Sequence, residues 1–152
     1  GILLMTGGVF PLGTAQAGHA HAVGAADHDR LDPVLVDAAR ADHPGGDWHV
    51  GDLAELDLPA AGVTEPFDLA VMAGNVLTFV APGTEVEVLR RIRGHLVPGG
   101  RLVVGFGAGR GYAFESLTDD ARAAGMRVQQ RFSTWDLRPF EPDADFLVAV
   151  LG

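Results

Sequence analysis

The chain has 152 residues, the size of one domain, and its 47% hydrophobic and 20% charged composition can bury one core. A formal net charge of −9 repels the nucleic-acid backbone, and the basic residues are mostly arginines in two short groups, LRRIRGH and AGRG, with no basic stripe. The absence of cysteine excludes disulfides, thiolate zinc sites and a cysteine nucleophile; it is compatible with the cytoplasm, where we expect this chain.

Taken in chain order, short apolar runs alternate with helix-like segments. ILLM (2–5) and HAV (21–23) read as buried strands. PVLVDAARAD (33–42) reads as a helix, with Asp32 as its N-cap and Pro33 in the first turn, where a missing N–H costs nothing. DWHV (47–50) is a short strand and FDLAVMA (67–73) a better one. Thr84 and Glu87 have capping-box spacing and open a helix whose Val88, Leu89, Ile92 and Leu96 share a face, stopped by PGG (98–100). RLVVGF (101–106) is the clearest buried strand. Phe114, Leu117, Ala121 and Ala124 share the next helix face, which Gly125 ends. MRVQQRF puts Met126, Val128 and Phe132 on one side of a strand, and DFLVAVL (145–151) is the last strand.

Near-continuous apolar strands between helices imply a parallel sheet covered on both faces. The last two strands are joined without a helix, so they are expected to pair antiparallel. ILLMTGGVFPLGTAQA has an A-x-A-like end but no basic start, and is not read as a signal peptide. LAVMAGNVLTFVAPG is too short, and too interrupted by Asn75 and Pro82, to span a bilayer.

Three segments follow one another as in a known family. LRRIRGHLVPGGRLVVGF resembles the helix, L-x-P-G-G turn and fifth strand of class I S-adenosylmethionine-dependent methyltransferases. WHVGDLAEL resembles their third strand and its G-D-L turn, and FDLAVMAGNVLTFV their fourth strand and following loop. AGNV, GFGAGRG and WDLRPF together resemble a bacterial small-molecule methyltransferase subgroup, and residues 33–152 carry the match. The resemblance implies one α/β domain over residues 1–152: a doubly wound Rossmann-like sheet of order 3-2-1-4-5-7-6 with strand 7 antiparallel. It implies methyl transfer from S-adenosylmethionine to a small-molecule acceptor, with no nucleic-acid or membrane partner.

The resemblance also implies a site. The cofactor loop follows strand one as G-x-G-x-G in the family. Here it reads MTGGVFPLG, leaving Gly7 and Gly8 with no third glycine at that spacing. That departure predicts cofactor binding weaker than about 100 μM, because Val9 and Phe10 stand where bare backbone is wanted. Family members usually carry helices before strand one that cover the cofactor, whereas this sequence starts almost at strand one; altered, truncated and simply divergent are the alternatives for residues 1–32. Asp27 stands where a carboxylate grips the ribose hydroxyls, with Asp29 and Asp32 as rivals. Asp52 is matched to the adenine amino group and the Leu53 N–H to a ring nitrogen; an Asx-turn is the plain structural alternative for Asp52. Gly74 and Asn75 follow strand four, where the family lines the sulfonium pocket; Asn75 bonding only its own loop is the alternative.

In open α/β sheets the ligand sits at the carboxyl ends of the strands, beside the first strand, so GFGAGRG after strand five is not the primary cofactor loop. Gly107 and Gly109 are placed on the acceptor side, as a close approach for substrate or as a plain turn. Tyr112 and Asp136 are polar candidates on that side.

His19, His21, Asp27, His28 and Asp29 are dense, but without a helix-borne pair or a later ligand no metal is expected. His43, His49 and His95 read as ordinary helix-end or strand residues, and no G-x-S-x-G elbow is present. Two other functions remain as alternatives. One is a non-catalytic domain that has lost the cofactor through MTGGVFPLG. The other is a nicotinamide dehydrogenase, which needs G-x-G-x-x-G after strand one.

Overall fold

The computed structural model describes residues 2–6, 20–25, 41 and 47–152. Among them, seven strands form one sheet: β1 (Ile2–Thr6), β2 (Ala20–Ala25), β3 (Asp47–Gly51), β4 (Phe67–Ala73), β5 (Leu96–Gly107), β6 (Val128–Phe132) and β7 (Phe146–Leu151). The spatial order is β3-β2-β1-β4-β5-β7-β6. β1 to β5 pair with one another in parallel, and β7 runs antiparallel to both β5 and β6. Two described helices pack on this frame, α1 (Glu85–Gly94) and α2 (Phe114–Ala123). The helix expected over 33–42 lies outside the described residues, apart from helical Ala41.

Alternation along the strands builds the core on one face. Leu3 and Met5 of β1, Ala70 and Met72 of β4, Leu102, Val104 and Phe106 of β5, and Leu147, Ala149 and Leu151 of β7 are all fully buried. The register sets them side by side: Leu3 opposes Ala70, Ala70 opposes Leu102, and Leu102 opposes Leu151. Val88, Leu89 and Ile92 of α1 and Leu117 and Ala121 of α2 are buried in the same core. Losing any one of the large side chains would cost on the order of 2–5 kcal/mol.

Three local expectations are corrected. Leu96 is not on the helix face: α1 ends at Gly94 with His95 as its cap, and Leu96 already pairs with Phe67 as the first residue of β5. The PGG segment is therefore a kink inside β5, where the pairing shifts register between Phe67 and Leu69. No capping box forms, because the Thr84 hydroxyl donates to Ala81 O at 2.6 Å and the Glu87 carboxylate accepts from Arg90 and Arg91. Val128 and Phe132 do not share a side. A register shift between Val128 and Gln130 leaves Val128 opposite Leu151 and Phe132 opposite Val148, and those two β7 residues sit on opposite faces.

Among the described residues no helix is long and apolar enough to cross a membrane.

Candidate functional site

Parallel strands place all their carboxyl ends on one edge of the sheet, and the chain's direction reverses between β1 and β4, the switch point where α/β sheets bind ligands. β3 ends there at Gly51, β4 at Ala73 and β5 at Gly107. β7 starts at the same edge, with Phe146 opposite Gly107, so the connection from β6 to β7 (133–145) also lies there. Gly7, Gly8 and Asp27 lie outside the described residues, as do Asp29, Asp32, His19 and His28.

After β3, Asp52 caps a 3-10 turn, Leu53–Glu55. Its Oδ1 accepts the Ala54 N–H at 2.8 Å, so the Asx-turn is present. That turn uses one carboxylate oxygen. Oδ2 and the Leu53 N–H have no hydrogen-bond partner among the described residues, while the Leu53 side chain is buried and holds the turn against the core. The exposed Asp52 carboxylate therefore keeps one oxygen free of the turn, next to a backbone donor with no partner among the described residues, at the end of β3. That pairing suits the amino group and ring nitrogen of adenine, so this part of the chain fits an adenosyl cofactor.

After β4, Gly74 and Asn75 are two successive left-handed residues, at φ 79° and 65°. Asparagine is one of the few side chains that tolerates this conformation. Asn75 does more than bond its own loop. Its N–H donates to Gly105 O at 3.3 Å, its Oδ1 accepts the Gly107 N–H at 2.8 Å, and its carbonyl accepts from Thr78 N–H and Oγ1. The acceptance by Oδ1 fixes the amide orientation, so the NH2 group is the free end, with no partner among the described residues.

The glycines of GFGAGRG divide into two kinds. Gly109 and Gly111 have φ of 71° and 85° with open space beside them; they make the turn out of β5. Gly105 and Gly107 are strand residues whose missing side chains leave room. A Cβ on Gly105 would fall 2.2 Å from Cζ2 of Trp135, so the indole lies directly on the strand. A Cβ on Gly107 would fall 3.3 Å from Arg110 Nε and 3.7 Å from both Asn75 Oδ1 and Asp145 O.

The Tyr112 hydroxyl donates to Asp120 Oδ2 at 2.6 Å, and its ring packs on Phe106 with centroids 5.5 Å apart. Burial, then the hydrogen bond and charge of Asp120, push its pKa far above the usual tyrosine value. Asp136 is exposed and accepts from the Thr134 hydroxyl and from Arg138 Nε, which hold its carboxyl below the usual range. Tyr112 is thus committed to Asp120, and Asp136 is a weakened base. Ser133, Thr134, Arg138, Pro139, Glu141, Asp143, Ala144 and Asp145 line a surface cavity of about 590 Å³, which neither Tyr112 nor Asp136 lines.

Trp135 and Arg110 carry no role in the sequence reading. The signal for them was the spacing of Gly105 and Gly107, since glycine at alternate strand positions strips one face of side chains. Among the described residues no group of three or more His, Asp or Glu could hold a metal ion.

No family model matches the chain, and no curated protein matches it. Solved structures do. CcbJ methyltransferase from Streptomyces caelestis is 17% identical, with 99% of this chain and 82% of that one covered at a TM-score of 0.75. S-adenosylmethionine-bound CalS10 from Micromonospora echinaspora, an amino pentose methyltransferase, is 17% identical, with 99% and 82% covered at 0.67. These two share the fold. A TehB-like S-adenosylmethionine-dependent methyltransferase from Corynebacterium glutamicum is 35% identical, with 99% of this chain and 78% of that one covered at a TM-score of 0.77. With that identity over nearly the whole chain, and an adenosyl-compatible turn at the end of β3, the chain belongs to the S-adenosylmethionine-dependent methyltransferase family, with S-adenosylmethionine as its cofactor.

Proposed function

We propose that the chain transfers a methyl group from S-adenosylmethionine to a small-molecule acceptor, as the bacterial small-molecule subgroup does. Asp52 Oδ2 accepts from the adenine amino group and the Leu53 N–H donates to the ring. Asp27 holds the ribose, Gly7 and Gly8 border the methionine end, and Gly74 and Asn75 stand beside the sulfonium. Gly107, Gly109, Tyr112 and Asp136 border the acceptor. CalS10 acts on a small molecule, an amino pentose, which supports an acceptor of that size here. The observation that carries the proposal is the Asp52 Oδ2 and Leu53 N–H, which have no partner among the described residues, at the edge where such sheets bind ligands.

The cofactor supplies a sulfonium methyl that is already electrophilic, so the protein's task is alignment. With Tyr112 committed to Asp120 and Asp136 weakened by Thr134 and Arg138, the acceptor side offers no strong base among these candidates. That arrangement suits an acceptor atom that reaches the site already deprotonated.

Calorimetry with S-adenosylhomocysteine tests the cofactor half. Saturable one-to-one binding is expected, and the altered MTGGVFPLG loop predicts a Kd above about 100 μM. Low-micromolar binding would show that loop to be competent as written. No detectable binding at millimolar ligand would overturn the proposal and leave the non-catalytic domain. Tritium transfer from labelled S-adenosylmethionine into a panel of small acceptors tests the other half.

A further inference from the structure

The cavity of about 590 Å³ is walled by the connection from β6 to β7, and its volume is in the range that takes a small organic ligand. The Asp145 carbonyl accepts the Ala108 N–H at 2.8 Å, so this wall is bonded to the loop after β5, on the acceptor side. Its chemistry is one-sided. Glu141, Asp143 and Asp145 bring three carboxylates, none of which makes a hydrogen bond or an ion pair among the described residues. The one cation in the lining, Arg138, already donates through Nε to Asp136 at 3.2 Å. The Ser133 hydroxyl donates to Pro139 O at 3.1 Å and the Thr134 hydroxyl donates to Asp136, so both protons are spent and both oxygens remain acceptors. Such a lining favours a cation. Yet among the described residues no group of three or more His, Asp or Glu could hold a metal ion. Carboxylates that share a cavity without converging on one point suit an organic cation with its own length, rather than a single inorganic ion.

We propose that the methyl acceptor is an extended amine with two basic nitrogens: one, as an ammonium, binds in this cavity among Glu141, Asp143 and Asp145, and the other takes the methyl group. This rests on the methyl-transfer reading. The division of labour fits an acceptor side on which Tyr112 is committed to Asp120 and Asp136 to Thr134 and Arg138. The reacting nitrogen needs no base from the protein, because the sulfonium charge beside it favours its uncharged form and its proton leaves to water before transfer. Its lone pair forms the N–C bond, the C–S bond breaks with its electron pair going to sulfur, and the methylated ammonium then releases a proton to water. The distal nitrogen stays charged, because the three carboxylates favour the ammonium. A monoamine cannot serve as anchor and nucleophile at once.

The test uses the full chain saturated with S-adenosylhomocysteine, whose own binding is read first by calorimetry. With the chain labelled with nitrogen-15, 1,4-diaminobutane, 1-aminobutane, succinate and magnesium ion are titrated as probes. The diamine is expected to shift the amide resonances of residues 133–145 saturably, and to bind about threefold or more tighter than 1-aminobutane and about tenfold or more tighter than succinate. Raising sodium chloride from about 50 to about 500 mM should weaken the diamine about threefold or more, because the carboxylates are exposed. The double variant Glu141→Gln, Asp143→Asn removes two charges whose side chains have no partner among the described residues, so the fold should survive. It should weaken the diamine about fivefold or more while leaving S-adenosylhomocysteine affinity unchanged. Tritium from labelled S-adenosylmethionine should then appear in the diamine. Succinate or magnesium binding as tightly as the diamine, unmoved 133–145 resonances, an indifferent double variant, or binding without methyl transfer would overturn the assignment. If S-adenosylhomocysteine itself fails to bind, the methyl-transfer reading falls first, and this inference with it; if it binds and the diamine does not, this inference alone falls.

Discussion

Asn75 and Gly107 are 32 residues apart, and the side-chain oxygen of one accepts the backbone N–H of the other at 2.8 Å. Together with the Asn75 N–H to Gly105 O, this ties the loop after β4 to the end of β5. Asn75→Gly keeps the left-handed backbone and loses only the side-chain bond, so a loss of about 1–2 kcal/mol is expected. Asn75→Ala loses the bond and also strains φ, adding roughly 1 kcal/mol. Urea denaturation of both variants reads the difference; equal stabilities would show that φ carries no strain here.

Asp52 has a structural and a proposed binding use, one for each carboxylate oxygen. Asp52→Asn preserves an acceptor for the Ala54 N–H but puts an amide NH2 where the adenine amino group needs an acceptor. It should fold with near-native stability and lose about 1–3 kcal/mol in S-adenosylhomocysteine binding. Asp52→Ala should lose the same binding energy and also about 1 kcal/mol of stability from the missing cap. Unchanged calorimetric affinity in both variants would remove Asp52 from the cofactor site.

Gly105→Ala places a methyl 2.2 Å from Trp135 Cζ2, closer than any real contact, so the ring must shift. The indole is displaced from its seat on Gly105. A red-shifted tryptophan emission in a Trp48→Phe background is expected, with a loss of about 1–3 kcal/mol from the displaced packing. An emission maximum identical to that of the Trp48→Phe parent would contradict the stacking.

Tyr112 is the sole tyrosine, so phenolate absorbance reports one group. Burial and then Asp120 raise its pKa in the folded chain, against about 10 when unfolded. Because the folded value lies above the unfolded one, the stability this contributes is fully present below about pH 10 and is lost as pH rises toward the folded value. Native protein at about pH 10.5 should therefore show little phenolate signal where urea-unfolded protein shows most of it. Asp120→Asn removes the facing charge and should move the native titration downward. A native titration that overlays the unfolded one would refute the buried hydrogen bond.

The strands and the core were legible because burial on a pleated sheet is a local, period-two pattern. RLVVGF and FLVAVL announce their buried side chains without reference to any partner. The Asp52 turn was legible for the same reason: an Asx-turn closes within two residues. What the tertiary structure alone decided are relationships between distant segments. The 3.6-residue period carried Leu96 onto a helix face, but pairing with Phe67 claimed it for β5, since a ladder contact outweighs a weak propensity. The shift at Val128 and Gln130 sent Phe132 to the other face, because one extra residue inverts a strand's alternation. Gly105 could be seen as bare, but that Trp135 lies on it depends on the 29 intervening residues folding back through α2 and β6. Tyr112 could be seen as polar, but its commitment to Asp120 depends on where α2 begins relative to the turn after β5. Composition and spacing determined which residues could bury or bond; only closure of the chain determined with whom, because that choice is made by proximity in space, which sequence neighbours do not encode.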